Sequence, residues 1–167
     1  DTNQVYYISS DRNFVDNFKN KFIKEAQTIS SLNHRNIIRI HDTFEENGTA
    51  YYAMEYIDGC SISDILKQQG KLQEDVAIQY IKEVAEALNY IHSKHINHLD
   101  IKPSNIMVRQ IDNSVVLIDF GVAKQYDLLT DEGTTSTPVG VSHGYSPLEQ
   151  YSDGGVQNFS PQSDIYA

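Results

Sequence analysis

The sequence has almost no cysteine, no tryptophan and no long apolar run. One cysteine, Cys60, among 167 residues excludes a disulfide within the chain and favours a reducing compartment, for which we expect the cytoplasm. No stretch approaches the ~20 apolar residues of a membrane-spanning helix, so we expect membrane association only if it is encoded outside these residues. Lys+Arg number 13 against 23 Asp+Glu, a formal net charge of −10. This shortage of cations argues against nucleic acid as a partner, because binding to a phosphate backbone relies on clustered Lys and Arg.

Apolar residues at helical spacing predict three helices, over 11–31, 61–69 and 73–93. Gly70 directly after the second of them is typical of a helix end. The third has the clearest pattern, with apolar residues at spacings of three and four along one stripe. The stripe consists of Ala77, Ile81, Val84, Leu88 and Ile91.

Strands are predicted over 37–44 and 50–57, joined by an Asn47-Gly48 turn that is typical of a β-hairpin. Two shorter strands are predicted over 106–109 and 115–118. Residues 125–140, rich in Thr, Ser, Asp and Gly, are expected to form a long loop of the kind that is usually functional. Helices and hairpins that follow one another without regular βαβ alternation predict an α+β fold.

The segment 98–105 places an aspartate, a lysine and an asparagine in one short loop: Asp100, Lys102 and Asn105. A second aspartate, Asp119, follows the last predicted strand within an Asp-Phe-Gly sequence. Transfer of a phosphoryl group needs a carboxylate to orient the attacking hydroxyl, a cation near the γ-phosphate and oxygen ligands for Mg²⁺. These four side chains are the types that such a reaction requires.

The two segments resemble the catalytic loop and the magnesium-binding motif of eukaryotic-type protein kinases. The resemblance implies a two-lobed fold in which Asp100 is the catalytic base and Asn105 and Asp119 bind Mg²⁺. Lys102, two residues after the catalytic aspartate, resembles the serine/threonine-specific class. We therefore expect transfer of the γ-phosphate of ATP to serine or threonine hydroxyls of protein substrates.

The resemblance extends to the nucleotide pocket. It implies that Glu25 pairs with an ATP-binding lysine and that Met54 is the gatekeeper at the back of the adenine pocket. The backbone of Glu55 and Ile57 would hydrogen-bond the adenine edge, and Met107 would pack beneath the ring.

Resemblance continues to the end of the chain. Residues 147–150, Pro-Leu-Glu-Gln, resemble the end of the activation segment in bacterial kinases, so we expect a role in bacterial signalling. Ser142 lies where these kinases usually place a threonine that touches the catalytic Asp and Lys, and Asp164 matches the aspartate that anchors the catalytic loop. The apolar spine of an active kinase is matched by Ile29, Ile40, His98 and Phe120.

The sequence departs from the family in three places. It contains no glycine-rich phosphate loop and no strand lysine of the Val-Ala-Ile-Lys type. We therefore expect a kinase truncated at both ends, with a partial small lobe over 1–57 and a partial large lobe over 58–167, and inactive by itself. Leu99 stands where an arginine commonly precedes the catalytic aspartate and reads a loop phosphate.

Two functions from other classes stay open. A kinase-like regulatory domain could bind nucleotide or partners without catalysis, although the complete set of catalytic residues disfavours it. A small-molecule phosphotransferase is disfavoured by Ser142 and by the Pro-Leu-Glu segment, which favour a peptide platform. A metal site made of His92, His95 and His98 is disfavoured because zinc needs further converging ligands.

Overall fold

The computed structural model describes residues 19–20, 22–23, 26–120, 124–125, 142–151 and 159–167. The helices among them are α1 (Ile62–Gln69), α2 (Glu74–His92) and α3 (Pro161–Tyr166), and residues 26–30 are also helical. The strands are β1 (Ile40–Glu46), β2 (Thr49–Met54), β3 (Gly59–Ser61), β4 (Ile96–Asn97), β5 (Ile106–Arg109), β6 (Val115–Leu117) and β7 (Lys124–Gln125). This mixture confirms the α+β class. No helix in the described part of the chain has both the length and the apolar composition of a membrane span.

Strands β1 and β2 form the predicted antiparallel hairpin. Its turn has Asn47 at φ 52° and Gly48 at φ 75°, the left-handed pair that a two-residue hairpin turn requires. The predicted strand bounds were wrong at the outer ends. Ile37 instead makes an isolated parallel bridge to Leu117, and residues 55–57 leave the sheet as a connecting segment.

A second sheet has the strand order β3-β5-β6. Its strands β5 and β6 were predicted, but β3 was not, because Gly-Cys-Ser has little β propensity. Gly59 shows why a glycine fits in β3: a Cβ there would lie 1.9 Å from the carbonyl oxygen of Val108. The two-residue pairing of β4 with β7 was also not predicted, since tertiary contacts rather than local sequence define such short strands.

Helix α1 begins one residue after its predicted start and ends where it was predicted to end. Ser61 caps the N-terminus through a reciprocal capping box with Asp64, and Gly70 at φ 78° closes the C-terminus. Helix α2 lies within one residue of its predicted ends.

The predicted apolar stripe of α2 was partly wrong. Leu88 and Ile91 are buried, but Ile81 is 68% exposed, and Tyr80 and Ala87 are buried beside them instead. One residue along a helix turns the side chain by about 100°. The buried face of α2 therefore includes Tyr80 and leaves Ile81 on the exposed side.

A buried asparagine joins the segment before β1 to the second sheet. The Asn36 Nδ2 donates to the Val115 carbonyl at 2.7 Å and to Glu83 Oε2 at 3.0 Å. Backbone bonds from Leu117 N to Asn36 O and from Ile38 N to Leu117 O continue the contact. All three residues of β6 are fully buried, so the hydrogen bonds of Asn36 lie against the centre of the core.

Replacement of Ile91 tests the buried face of α2. Because Ile91 is fully buried, Ile91→Ala should lower the free energy of unfolding by about 2–5 kcal/mol. The matched control is Ile111→Ala, since the Ile111 side chain is 90% exposed and its loss should change stability by less than about 0.5 kcal/mol. Denaturant unfolding measures both. Equal losses in the two variants would contradict the assignment.

Candidate active site

One buried carboxylate holds the loop that carries the predicted catalytic residues. Asp164, at the start of α3, is 2% exposed. It accepts hydrogen bonds from the backbone N–H of His98 at 2.9 Å and of Leu99 at 2.7 Å. Its Oδ2 also lies 2.8 Å from His92 Nε2 at the end of α2. The predicted anchoring of the loop by Asp164 is therefore confirmed.

The residue before Asp100 has an uncommon backbone conformation. Leu99 lies at φ 63°, in the left-handed region, which costs an L-residue about 1–2 kcal/mol. Its side chain is buried, with 4% exposed, so it points away from solvent. Gln150 donates from Nε2 to the Leu99 carbonyl at 2.8 Å. This contact was not predicted, because nothing in the pattern around Gln150 indicates a buried amide.

Asp100 lies at the centre of a closed polar cluster. Ser142 Oγ donates to Asp100 Oδ1 at 2.5 Å, and Lys102 Nζ donates to Ser142 Oγ at 3.0 Å. Lys102 Nζ also lies 2.7 Å from Asp100 Oδ2, which accepts from Asn105 Nδ2 at 2.8 Å. The structure thus brings together the three side chains predicted to be catalytic, and Ser142 contacts both Asp100 and Lys102, as the resemblance implied.

These donors keep Asp100 ionised. Partial burial raises the pKa of Asp100, but hydrogen bonds from Lys102, Ser142 and Asn105 and the charge of Lys102 outweigh it, so the net pKa lies below its ordinary value. Asp100 therefore presents a carboxylate that can accept a hydrogen bond from a hydroxyl.

The imidazole of His98 is neutral and has one tautomer. Burial lowers the pKa of His98, which is fully buried. Its Nε2 lies 3.1 Å from the Ile118 carbonyl, and its Nδ1 accepts from the Asp100 N–H at 3.3 Å. Because a carbonyl only accepts and an N–H only donates, Nε2 carries the proton. The ring therefore connects the loop to the residue before Asp119.

The predicted metal ligands lie on adjacent segments. The backbone N–H of Ile118 donates to the Asn105 carbonyl at 3.0 Å, and Asp119 is the next residue after Ile118. Asp119 is exposed and lies at φ 61°. Both hydrogen bonds of the Asn105 side chain use Nδ2, so its Oδ1 suits a cation. One carboxylate and one amide oxygen are the hard ligands that Mg²⁺ prefers, and these residues fit it.

The predicted adenine-pocket residues lie along one connection. Met54 ends β2 and is 50% exposed, whereas Ile57 is buried. The Glu55 N–H donates to the Arg39 carbonyl at 2.9 Å, and the Glu55 carboxylate pairs with Arg109 of β5. Met107 packs against the core beside this connection. Glu25, the predicted partner of an ATP-binding lysine, lies outside the described residues.

The predicted spine residues are all buried. His98 and Phe120 are in ring contact, with centroids 4.5 Å apart. Ile29, Ile40 and Phe120 line one open cleft, together with Tyr52 and Asp119. Burial and the charge of Asp119 raise the pKa of Tyr52. The cleft therefore runs from the hairpin to the predicted metal ligand.

Two of the three histidines weighed as a metal site have other partners. His92 lies against Asp164, and His98 is bonded to the Ile118 carbonyl. No group of three metal-binding side chains converges within the described ranges.

The chain is similar to protein kinases in sequence. Residues 7–167 match the protein kinase domain family. Serine/threonine-protein kinase PknB of Mycobacterium leprae is 33% identical over 151 residues, which cover 88% of this chain and 24% of that protein. Serine/threonine-protein kinase B of Synechocystis sp. is 37% identical over 157 residues, which cover 89% of this chain and 26% of that protein. The chain thus spans about a quarter of the length of these relatives.

The similarity extends to structure. A solved structure described as PpkA-294 apo form has a TM-score of 0.73 and 29% sequence identity, and the match covers 94% of this chain and 54% of that chain. The expected kinase-like fold is therefore confirmed.

Titration of Asp100 tests the polar cluster. In Ser142→Ala and Lys102→Met we expect the pKa of Asp100 to rise, because each change removes a donor that stabilises the carboxylate. The rise should be larger for Lys102→Met, which also removes a charge. Carboxyl carbon shifts followed by NMR against pH measure this. Asp112, whose pKa is lowered by hydrogen bonds from Ser114, is the internal control and should not change.

The same titration has a consequence for stability. Because the pKa of Asp100 is lower in the folded state, the cluster stabilises the fold above the unfolded pKa, and this contribution is lost as pH falls through the folded pKa. An Asp100 pKa that is unchanged in both variants would contradict the role assigned to the cluster.

Proposed function

The chain belongs to the protein kinase family, and from that premise we propose that the natural protein transfers the γ-phosphate of ATP to serine or threonine hydroxyls of protein substrates. The observation that carries the proposal is the cluster in which Lys102, Asn105 and Ser142 converge on the Asp100 carboxylate. Relatives named serine/threonine-protein kinases, two of them bacterial, support the class of reaction.

Asp100 is proposed as the catalytic base. Its lowered pKa keeps it ionised, so it can orient a substrate hydroxyl and accept its proton as the oxygen bonds to the γ-phosphorus and ADP leaves. Ser142 and Asn105 hold the two oxygens of the carboxylate and fix its orientation.

Lys102 is proposed to supply positive charge near the transferred phosphoryl group. Its ammonium group already lies within the cluster, and Ser142 fixes it from the side of the 142–151 segment. A cation preorganised in this way stabilises developing negative charge without reorganisation during the reaction.

Asn105 and Asp119 are proposed to hold Mg²⁺, which would neutralise charge on the ATP phosphates. The hydrogen bonds of Asn105 to Asp100 connect the metal side of the site to the base. The exposed carboxylate of Asp119 leaves that side open to nucleotide.

The adenine ring is proposed to bind along the connection 54–57. Because the Glu55 N–H is already bonded to Arg39, the Glu55 carbonyl and the Ile57 N–H are the groups proposed to meet the adenine edge. Met54 and Met107 would supply apolar contact. Glu25 is proposed to pair with an ATP-binding lysine that residues 1–167 do not contain as a recognisable motif.

We propose that residues 1–57 belong to the small lobe of the kinase and residues 58–167 to the large lobe. The boundary between them lies at the end of the connection 54–57. The cytoplasm is the proposed location of the domain, since the exposed free thiol of Cys60 suits a reducing compartment.

Phosphate transfer tests the proposed function. The full-length natural protein should incorporate label from [γ-³²P]ATP into itself and into a generic Ser/Thr substrate. Asp119→Asn should reduce incorporation by at least about a hundredfold, because loss of a metal ligand removes transition-state charge stabilisation. The matched control is Asp112→Asn, in an exposed turn, which should retain activity.

The same assay discriminates the alternatives. Residues 1–167 assayed alone should show little turnover because the lysine partner of Glu25 is missing. A folded full-length protein without transfer would refute the proposal and favour the regulatory domain, for which nucleotide binding without turnover is the signature.

Leu99 generates a second prediction. Its buried side chain cannot form a charge-assisted pair with a loop phosphate. Phosphatase treatment of the protein should therefore change the rate of phosphate transfer by less than about threefold. Alanine substitution of the loop threonines, which lie outside the described residues, should give the same result. They are Thr130, Thr134, Thr135 and Thr137. A collapse of activity in either case would contradict the prediction.

A further inference from the structure

Gln150 carries a buried hydrogen bond that reaches across to the catalytic loop. It lies in the short 3-10 turn Leu148–Tyr151, between residues that are 82% and 49% exposed. Gln150 itself is 7% exposed, and its Nε2 donates to the Leu99 carbonyl at 2.8 Å. The turn on the surface is thus tied to the residue before Asp100.

The two peptide groups that flank the Leu99 Cα are bonded by different elements. The Leu99 N–H donates to Asp164 of α3 at 2.7 Å, and its carbonyl accepts from Gln150. Between these two contacts Leu99 adopts the left-handed conformation at φ 63°, which corresponds to roughly a tenfold penalty in a conformational equilibrium for an L-residue. A non-glycine residue stays there only when its surroundings impose the conformation.

The Gln150 amide contributes little net stability to the fold. Its Oε1 is buried and has no hydrogen-bond partner among the residues that the structure describes. An orphaned buried acceptor is destabilising, so half of the amide opposes folding. Among the residues that the structure describes, the amide supplies the donor that satisfies the Leu99 carbonyl.

We propose that Gln150 is a positioning residue that holds Leu99 in the left-handed conformation and thereby aims the Asp100 carboxylate. The inference rests on the proposed kinase function. Gln150 touches neither substrate nor nucleotide and acts through the Leu99 backbone. Without its donor, Leu99 relaxes toward an ordinary conformation and Asp100 turns out of the cluster with Lys102 and Ser142.

Gln150→Met is the test variant because it keeps length and volume but has no donor. In the full-length protein we expect kcat for phosphate transfer to fall about tenfold, the penalty of the left-handed conformation, with KM for ATP unchanged. The thermal unfolding midpoint should stay close to that of the wild type, because one orphaned oxygen, Oε1, disappears as another, the Leu99 carbonyl, is created. The matched control Gln110→Met, at an exposed turn position, should change neither quantity.

The backbone at residue 99 provides the rescue. Glycine adopts the left-handed conformation without strain, whereas alanine does not. Both remove the Leu99 side chain, so the loss of its packing is common to the two backgrounds. Adding Gln150→Met should therefore cost less than about threefold in kcat in a Leu99→Gly background and about tenfold in a Leu99→Ala background.

Three results would overturn the proposal. One is an equal cost of Gln150→Met in the Gly and Ala backgrounds. Another is a fall in kcat that only follows the loss of folded protein. The third is a Gln150→Met variant with unchanged kcat. An inactive wild type would refute the proposed function instead, and the backbone φ of Leu99 would then be measured by NMR in the wild type and in Gln150→Met. A left-handed φ that is retained in the variant would overturn the proposal.

Discussion

The buried carboxylate of Asp164 is the interaction on which the arrangement of the site depends. A carboxylate without water is costly unless it is fully hydrogen-bonded, and here the partners come from separate parts of the chain. The N–H groups of His98 and Leu99 belong to the catalytic loop, and His92 belongs to the end of α2. The contacts of the Asp164 carboxylate therefore hold α2, α3 and the loop in fixed positions relative to one another.

Burial decreases from that anchor toward the residues proposed to carry the chemistry. His98 and Leu99 are buried, Asp100 is partly buried within a ring of donors, and Asp119 is exposed. The His98 imidazole connects these levels, since its two nitrogens bond the Asp100 N–H and the Ile118 carbonyl. The polar groups that face ligands are therefore supported by buried residues of the same loop.

Much of this could be read from the sequence where local rules determine the outcome. The Asn47-Gly48 turn, the Ser61 cap and the ends of α2 follow from local chemistry, and the spacing of Asp100, Lys102 and Asn105 indicated their cluster. Tertiary context decided the rest. Periodicity placed Ile81 on the buried face of α2, whereas its neighbour Tyr80 is buried and Ile81 is exposed. The contacts of β3 and Gln150 depend on partners distant in sequence, and no local pattern indicates them.

The contacts between Asn36 and the second sheet can form only late in the synthesis of the chain. Asn36 and its partner Val115 are separated by 79 residues, which the ribosome adds in about 4–16 s at roughly 5–20 residues per second. Throughout that interval the backbone of residues 36–38 lacks the β6 partners that satisfy it in the folded protein. The hairpin of β1 and β2 is thus synthesised early, whereas the segment that precedes it can pair with β6 only after residues 115–117 have been added.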